Sequence, residues 1–136
     1  MKMKLYFRFI VLALIAGIQP ASAQTFSLLH TFSGSDGSYP VGWLILSNAT
    51  LYGMTPSGPF KMNANGGSCS NLHYFGTTGG NANSPNAALT LSGTNLYGMT
   101  VAGGASVGVA FRVSTNGVGY TALHYFNSRE TNGASP

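Results

Sequence analysis

The chain has 136 residues, with six Lys or Arg against two Asp or Glu, and only 6% of its residues are charged. So few carboxylates leave little material for chemistry that needs paired acids. The cations are too scattered to form the basic face that displaces counterions from a nucleic acid, so no nucleic-acid partner is expected.

The chain opens on a basic stretch, Lys2, Lys4 and Arg8, followed by an apolar run from Phe9 to Ile18. Pro20 and the small residues Ala21, Ser22 and Ala23 come next, the pattern of a signal peptide over residues 1–23 cleaved between Ala23 and Gln24. The apolar run is shorter than the roughly 20 residues that a spanning helix needs. An uncleaved anchor is the alternative; the cleavage pattern favours export, with membrane contact only before cleavage. Without this segment the remaining cations are Lys61, Arg112 and Arg129 against Asp36 and Glu130, a net charge of +1. A secreted or cell-surface location is the expectation.

Residues 24–136 read as a β-repeat region. Leu29-His-Thr-Phe32 recurs as Leu72-His-Tyr-Phe75 and Leu123-His-Tyr-Phe126. Leu51-Tyr-Gly-Met-Thr55 returns intact as Leu96-Tyr-Gly-Met-Thr100, and Phe60-Lys-Met62 matches Phe111-Arg-Val113. Pro40, Pro85 and Pro136 mark equivalent points. Length changes fall between motifs, where surface loops tolerate them. Within the motifs apolar residues alternate, the period of two that marks a strand. Asn65-Gly66 and Asn116-Gly117 signal hairpins in which both central residues take positive φ. Ser47-Asn-Ala-Thr50 and Ser92-Gly-Thr-Asn95 signal another.

The expectation is an all-β fold of tandem four-stranded antiparallel units: two full units, each entered through a Leu-His-x-Phe strand, and the start of a third. A four-stranded unit of this length is the size of a propeller blade. Closed propellers need about four to eight. The expected architecture is therefore an incomplete β-propeller-like array, with a two-sheet β-sandwich as the alternative. Unpaired edges and wet apolar faces predict self-association, and a fragment of a longer array is the simplest account of two units.

Asp36-Gly-x-x-Pro40, the Leu-Tyr-Gly-Met-Thr motif, Gly103-Gly104 and Gly108-x-x-Phe-Arg-Val113 together resemble the Gloeo/Verruco (GloVer) tandem repeat of exported bacterial proteins. That resemblance implies a propeller-like array at the cell surface and assigns no activity.

Candidate chemistry is sparse. His30, His73 and His124 occupy one repeated strand position and so point to a copied structural residue rather than a metal set. Asp36 matches Asn81 and Asn132, and a turn role covers all three. Cys69 lies in the Gly-rich turn 66–71 and reads as a loop residue that is free or pairs between molecules. Gly103-Gly104 and Gly108 lack the Lys of a phosphate loop. Tyr52, Tyr97, Phe75 and Phe126 read as packed, whereas Tyr39 and Trp43 lack aromatic counterparts and suit stacking on a sugar. Asn48-Ala-Thr50 fits an N-glycosylation site, or simply a turn. No catalytic residue, metal site or cofactor is expected. The reading is a non-catalytic protein with a structural or extracellular binding role, whose partner is unknown beyond itself or carbohydrate. The alternative is a fragment of a propeller-type polysaccharide hydrolase or lyase.

Overall fold

A computed structural model describes residues 24–76, 82–103 and 107–127. The proposed signal segment, residues 1–23, and the residues after 127 that would continue the expected third unit lie outside the described residues. The described chain is all-β and forms two antiparallel sheets that do not close into a barrel. Sheet one is a meander of β1 (Val41–Ser47), β2 (Thr50–Thr55), β3 (Gly58–Asn63) and β4 (Ser70–Asn71), paired in that order. Sheet two contains β5 (Ala82–Pro85), β6 (Thr90–Ser92), β7 (Asn95–Gly103), β8 (Gly108–Ser114) and β9 (Thr121–Phe126). Both β5 and β6 pair with β7, which leads on to β8 and β9.

Matching motifs occupy matching ladder positions. Leu51 faces Met62 as Leu96 faces Val113, Tyr52 faces Lys61 as Tyr97 faces Arg112, and Gly53 faces Phe60 as Gly98 faces Phe111. An irregularity is matched as well. The first strand of sheet one slips register between Val41 and Ile45. In sheet two the slip falls between Pro85 and Thr90 and divides the corresponding segment into β5 and β6.

The glycine of each Leu-Tyr-Gly-Met-Thr motif has a steric cause. A Cβ on Gly53 would sit 2.5 Å from Cζ of Phe60, and one on Gly98 would sit 2.5 Å from Cζ of Phe111. Each phenylalanine therefore lays its ring across the bare backbone of the opposite strand. A leucine adds to the crowding: the same Cβ would lie 2.7 Å from Cδ2 of Leu44 on Gly53 and 3.0 Å from Cδ2 of Leu89 on Gly98. Phe60 and Phe111 are among the largest fully buried side chains.

The turns and the N-terminal segment depart from two expectations. At Asn65-Gly66 and Asn116-Gly117 only the glycines have positive φ, 91° and 87°. The loops are one residue longer than the two-residue turn expected: Gly66 N–H donates to Asn63 and Gly117 N–H to Ser114, while Asn63 and Ser114 N–H donate to the carbonyls of Gly67 and Val118. This is a turn closed by a glycine bulge, in which the asparagine stays right-handed and its side chain accepts from the N–H two residues on. Asn48 and Ala49, by contrast, both have positive φ between paired Ser47 and Thr50.

The second change concerns Leu29–Phe32, which is not a strand. Its counterparts each continue the strand that precedes them. Leu72 and Phe75 N–H groups donate to the carbonyls of Pro59 and Ser57, and residues 123–126 lie within β9. No described unit precedes residue 29 to offer such an edge.

One core joins the sheets. Tyr52 and Met54 of β2, with Leu72 and Phe75 beyond β4, pack against Leu89, Leu96, Val109, Phe111 and Val113 of the second unit. Sheet one thus contributes the face of its tyrosine and methionine, and sheet two the opposite face, that of its phenylalanine.

Replacement of Gly98 by Ala forces Phe111 from a fully buried seat. The expected loss is about 1–3 kcal/mol, as for overpacking in a closed core. It is measured as a lower urea midpoint with an unchanged slope.

Candidate functional site

The Leu-His-x-Phe segments build the seats where chemistry-bearing side chains gather. Phe75 meets Phe111 edge-on with ring centroids 5.3 Å apart and planes at 80°. Phe32 meets Phe60 in the same way, at 5.1 Å and 74°. Edge-to-face pairs of this kind contribute about 0.5–1.5 kcal/mol beyond their burial. A Cβ on Gly117 would lie 3.0 Å from the Leu72 carbonyl oxygen, and one on Gly66 would run into the Leu29 carbonyl. Leu29–Phe32 therefore docks on sheet one as Leu72–Phe75 docks on sheet two.

The histidines separate at this point. His73 stacks flat on Tyr120, with centroids 3.7 Å apart and planes 3° from parallel. The sheet-one position equivalent to Tyr120 is Cys69, since Lys61–Ser70 and Arg112–Thr121 are corresponding ladder pairs. His30 thus has no ring to stack on. It pairs instead with Asp36, Nε2 to Oδ2 at 2.6 Å. His124 is exposed and lies edge-on to Phe126.

Asp36 is held by its own turn. The Ser33 backbone N–H and hydroxyl both donate to Oδ1, at 2.8 and 3.1 Å. The Ser33 backbone bond, with His30 assisting against the opposing effect of desolvation, holds the carboxyl down at about 2. Cys69 is half-buried, and desolvation and then the Asp36 charge push its thiol up. A thiol that holds its proton is a poor nucleophile, so His30, Asp36 and Cys69 do not amount to an activated cysteine. They are still the group of three potential metal ligands among the described residues, with ligand atoms all within 4.8 Å of one another. The three repeated histidines do not form such a group. Sequence reasoning placed Asp36 and Cys69 in unrelated turns. The available signal was the exchange of Tyr120 for Cys69 at one repeat position.

Of the residues expected to be packed, Tyr52 and Phe75 are buried, Phe126 is half-buried and Tyr97 is exposed. Tyr97 lies on the face of sheet two that no described element covers. Tyr39 and Trp43 are exposed rings, and Asn48 sits on an exposed tight turn. Gly103 ends β7 with positive φ, Gly108 opens β8, and Gly104 lies outside the described residues.

No family model, curated protein or solved structure matches the chain.

Burial lowers the pKa of His73 from its usual 6.5, and its Nε2 is buried without a hydrogen-bond partner. The unfolded chain therefore takes up this proton first as pH falls. The stability concerned is present above about pH 6.5 and is lost as pH drops toward the lower folded value. His73→Phe keeps a ring on Tyr120 and removes the proton site. Its stability, from urea melts between pH 8 and 5, should fall less on acidification than that of the parent. An equal fall in both would assign the effect elsewhere.

Proposed function

We propose that this is an exported, non-catalytic tandem-repeat protein with a structural or extracellular binding role, whose four-stranded units stack like propeller blades and continue by stacking on a second copy. Resemblance to the Gloeo/Verruco repeat supports the surface location and the blade-like units. The shared ladder positions and shared register slip of the two sheets support the repetition.

The observation that carries the reading is a difference in burial between equivalent residues. Met54 is 1% exposed and Met99 41%; Leu72 is 6% exposed and Leu123 52%. On the opposite faces, Leu89 is 3% exposed and Leu44 51%. Side chains that bury the joint between the units are thus repeated bare on sheet two, at Met99 and Leu123, and on sheet one at Leu44, whereas Phe60 and Met62 are already buried. Covering the half-exposed surface of each such Leu or Met recovers about 1 kcal/mol. The tyrosine–methionine face of sheet two and the phenylalanine face of sheet one are the two halves of the joint already formed, so a second copy fits head to tail once Leu29–Phe32 gives up its place on Phe60. Such contacts are heterologous and grow into rings or filaments.

Sedimentation velocity over a range of concentrations tests this. The parent should form oligomers. Met99→Glu spoils one face and Leu44→Glu the other; both positions are exposed, so the fold should survive. Each variant alone should be monomeric, and an equimolar mixture should yield dimers and nothing larger. A parent that stays monomeric, or dimers that form without mixing, would refute head-to-tail stacking. Turnover of a polysaccharide that is lost in Asp36→Ala would replace the non-catalytic reading with a hydrolase or lyase.

A further inference from the structure

We infer that His30, Asp36 and Cys69 form a binding site for a divalent metal ion of the zinc class, which staples the N-terminal segment to the first sheet. The inference stands on the placement of these three side chains and does not depend on stacking between copies.

Imidazole nitrogen, carboxylate oxygen and thiolate sulfur are the three donor types that zinc takes, in tetrahedral sites with four ligands or three plus a water. Mixed nitrogen and sulfur donors also select against magnesium and calcium, which prefer oxygen throughout. The ligand atoms lie within 4.8 Å of one another, a span that one ion can bridge with small side-chain adjustments. The His30–Asp36 hydrogen bond must open to admit it. The carboxylate is already supported for that role. Ser33 holds Oδ1 through its N–H and hydroxyl, leaving Oδ2 toward the cluster. Ligating carboxylates are commonly fixed by such outer hydrogen bonds. On binding, the Cys69 thiol gives its proton to solvent and its sulfur lone pair to the metal, so affinity falls as pH falls.

The site also meets a structural need. Residues 24–40 form no strand ladder, and Leu29–Phe32 is held to sheet one mainly by side-chain packing. In the second unit the equivalent segment is tied down by backbone hydrogen bonds and by the His73–Tyr120 stack. With Cys69 in place of the tyrosine, the stack is lost and a ligand is gained at the same point. Two ligands, His30 and Asp36, belong to the loose segment; the third, Cys69, belongs to the sheet.

Cobalt(II) titration of the reduced, purified protein provides the test. The expected result is one ion per chain, with a near-ultraviolet thiolate-to-cobalt band that zinc abolishes on displacement. Cys69→Ser should lose the band, and its far-ultraviolet circular dichroism should show that the sheets persist. His30→Gln and Asp36→Asn should each bind about tenfold or more weakly. Zinc should raise the urea midpoint of the parent and leave that of Cys69→Ser unmoved. Absence of the band at excess cobalt would overturn the site. So would a band at two chains per ion that survives both His30→Gln and Asp36→Asn, which would mean that the thiol captures metal between molecules without them.

Discussion

Everything in this molecule is arranged around a phenylalanine ring lying over a glycine on the neighbouring strand. Phe60 over Gly53 and Phe111 over Gly98 leave no room for a Cβ beneath the ring. The same rings receive the edges of Phe32 and Phe75. Cross-strand register, the choice of glycine and the docking of the Leu-His-x-Phe segment all follow from that one seat. A strand slipped by one residue would turn the phenylalanine to the other face and place methionine or tyrosine against the ring. The motif is therefore a packing instruction, and its repetition needs no catalytic explanation.

The sheet built on this seat has two apolar faces, and that explains how the units meet. The face with Phe111 is buried against the tyrosine and methionine of the first sheet, and the equivalent face with Phe60 against the chain's own Leu29–Phe32. Joining the units covers the tyrosine–methionine face of sheet one and the phenylalanine face of sheet two, and leaves Tyr97, Met99 and Leu123 exposed on the far face of sheet two. Stability here is shared between neighbours in the manner of repeat proteins, where each unit contributes its own fold and a nearest-neighbour joint. The low charge of the chain fits this arrangement, because charged side chains on either face would carry a desolvation cost into the joint.

Much of the fold was legible in the sequence because strands and their pairings are written in period-two alternation and in recurring motifs. Leu51–Thr55 and Leu96–Thr100 read as equivalent strands and occupy equivalent ladder positions. Other features were illegible for physical reasons. Tyr97 and Tyr52 are identical within their motifs, so only the presence of a covering sheet separates a bare ring from a buried one. Leu29–Phe32 carries a strand pattern but finds no edge to pair with among the described residues, and pattern alone cannot supply a partner. The meeting of His30, Asp36 and Cys69 depends on a turn at Ser33 and on the path from β3 to β4, which no short spacing encodes. Asn65 and Asn116 signalled turns correctly, but the loop closed on a glycine bulge because three residues rather than two lie between the paired strands.

Leu29–Phe32 already fills, on the first sheet, the berth that residues 123–126 of an incoming sibling would take. A copy stacking head to tail, as proposed, would have to evict it before the faces met. The outermost ring, Phe60, is meanwhile shielded from solvent by the chain's own leading segment. In such an array the same four-residue motif would be a plug at one end and a key at the other. Growth of the proposed array would then carry a kinetic barrier located at a single joint, and each chain would show latency before it polymerised.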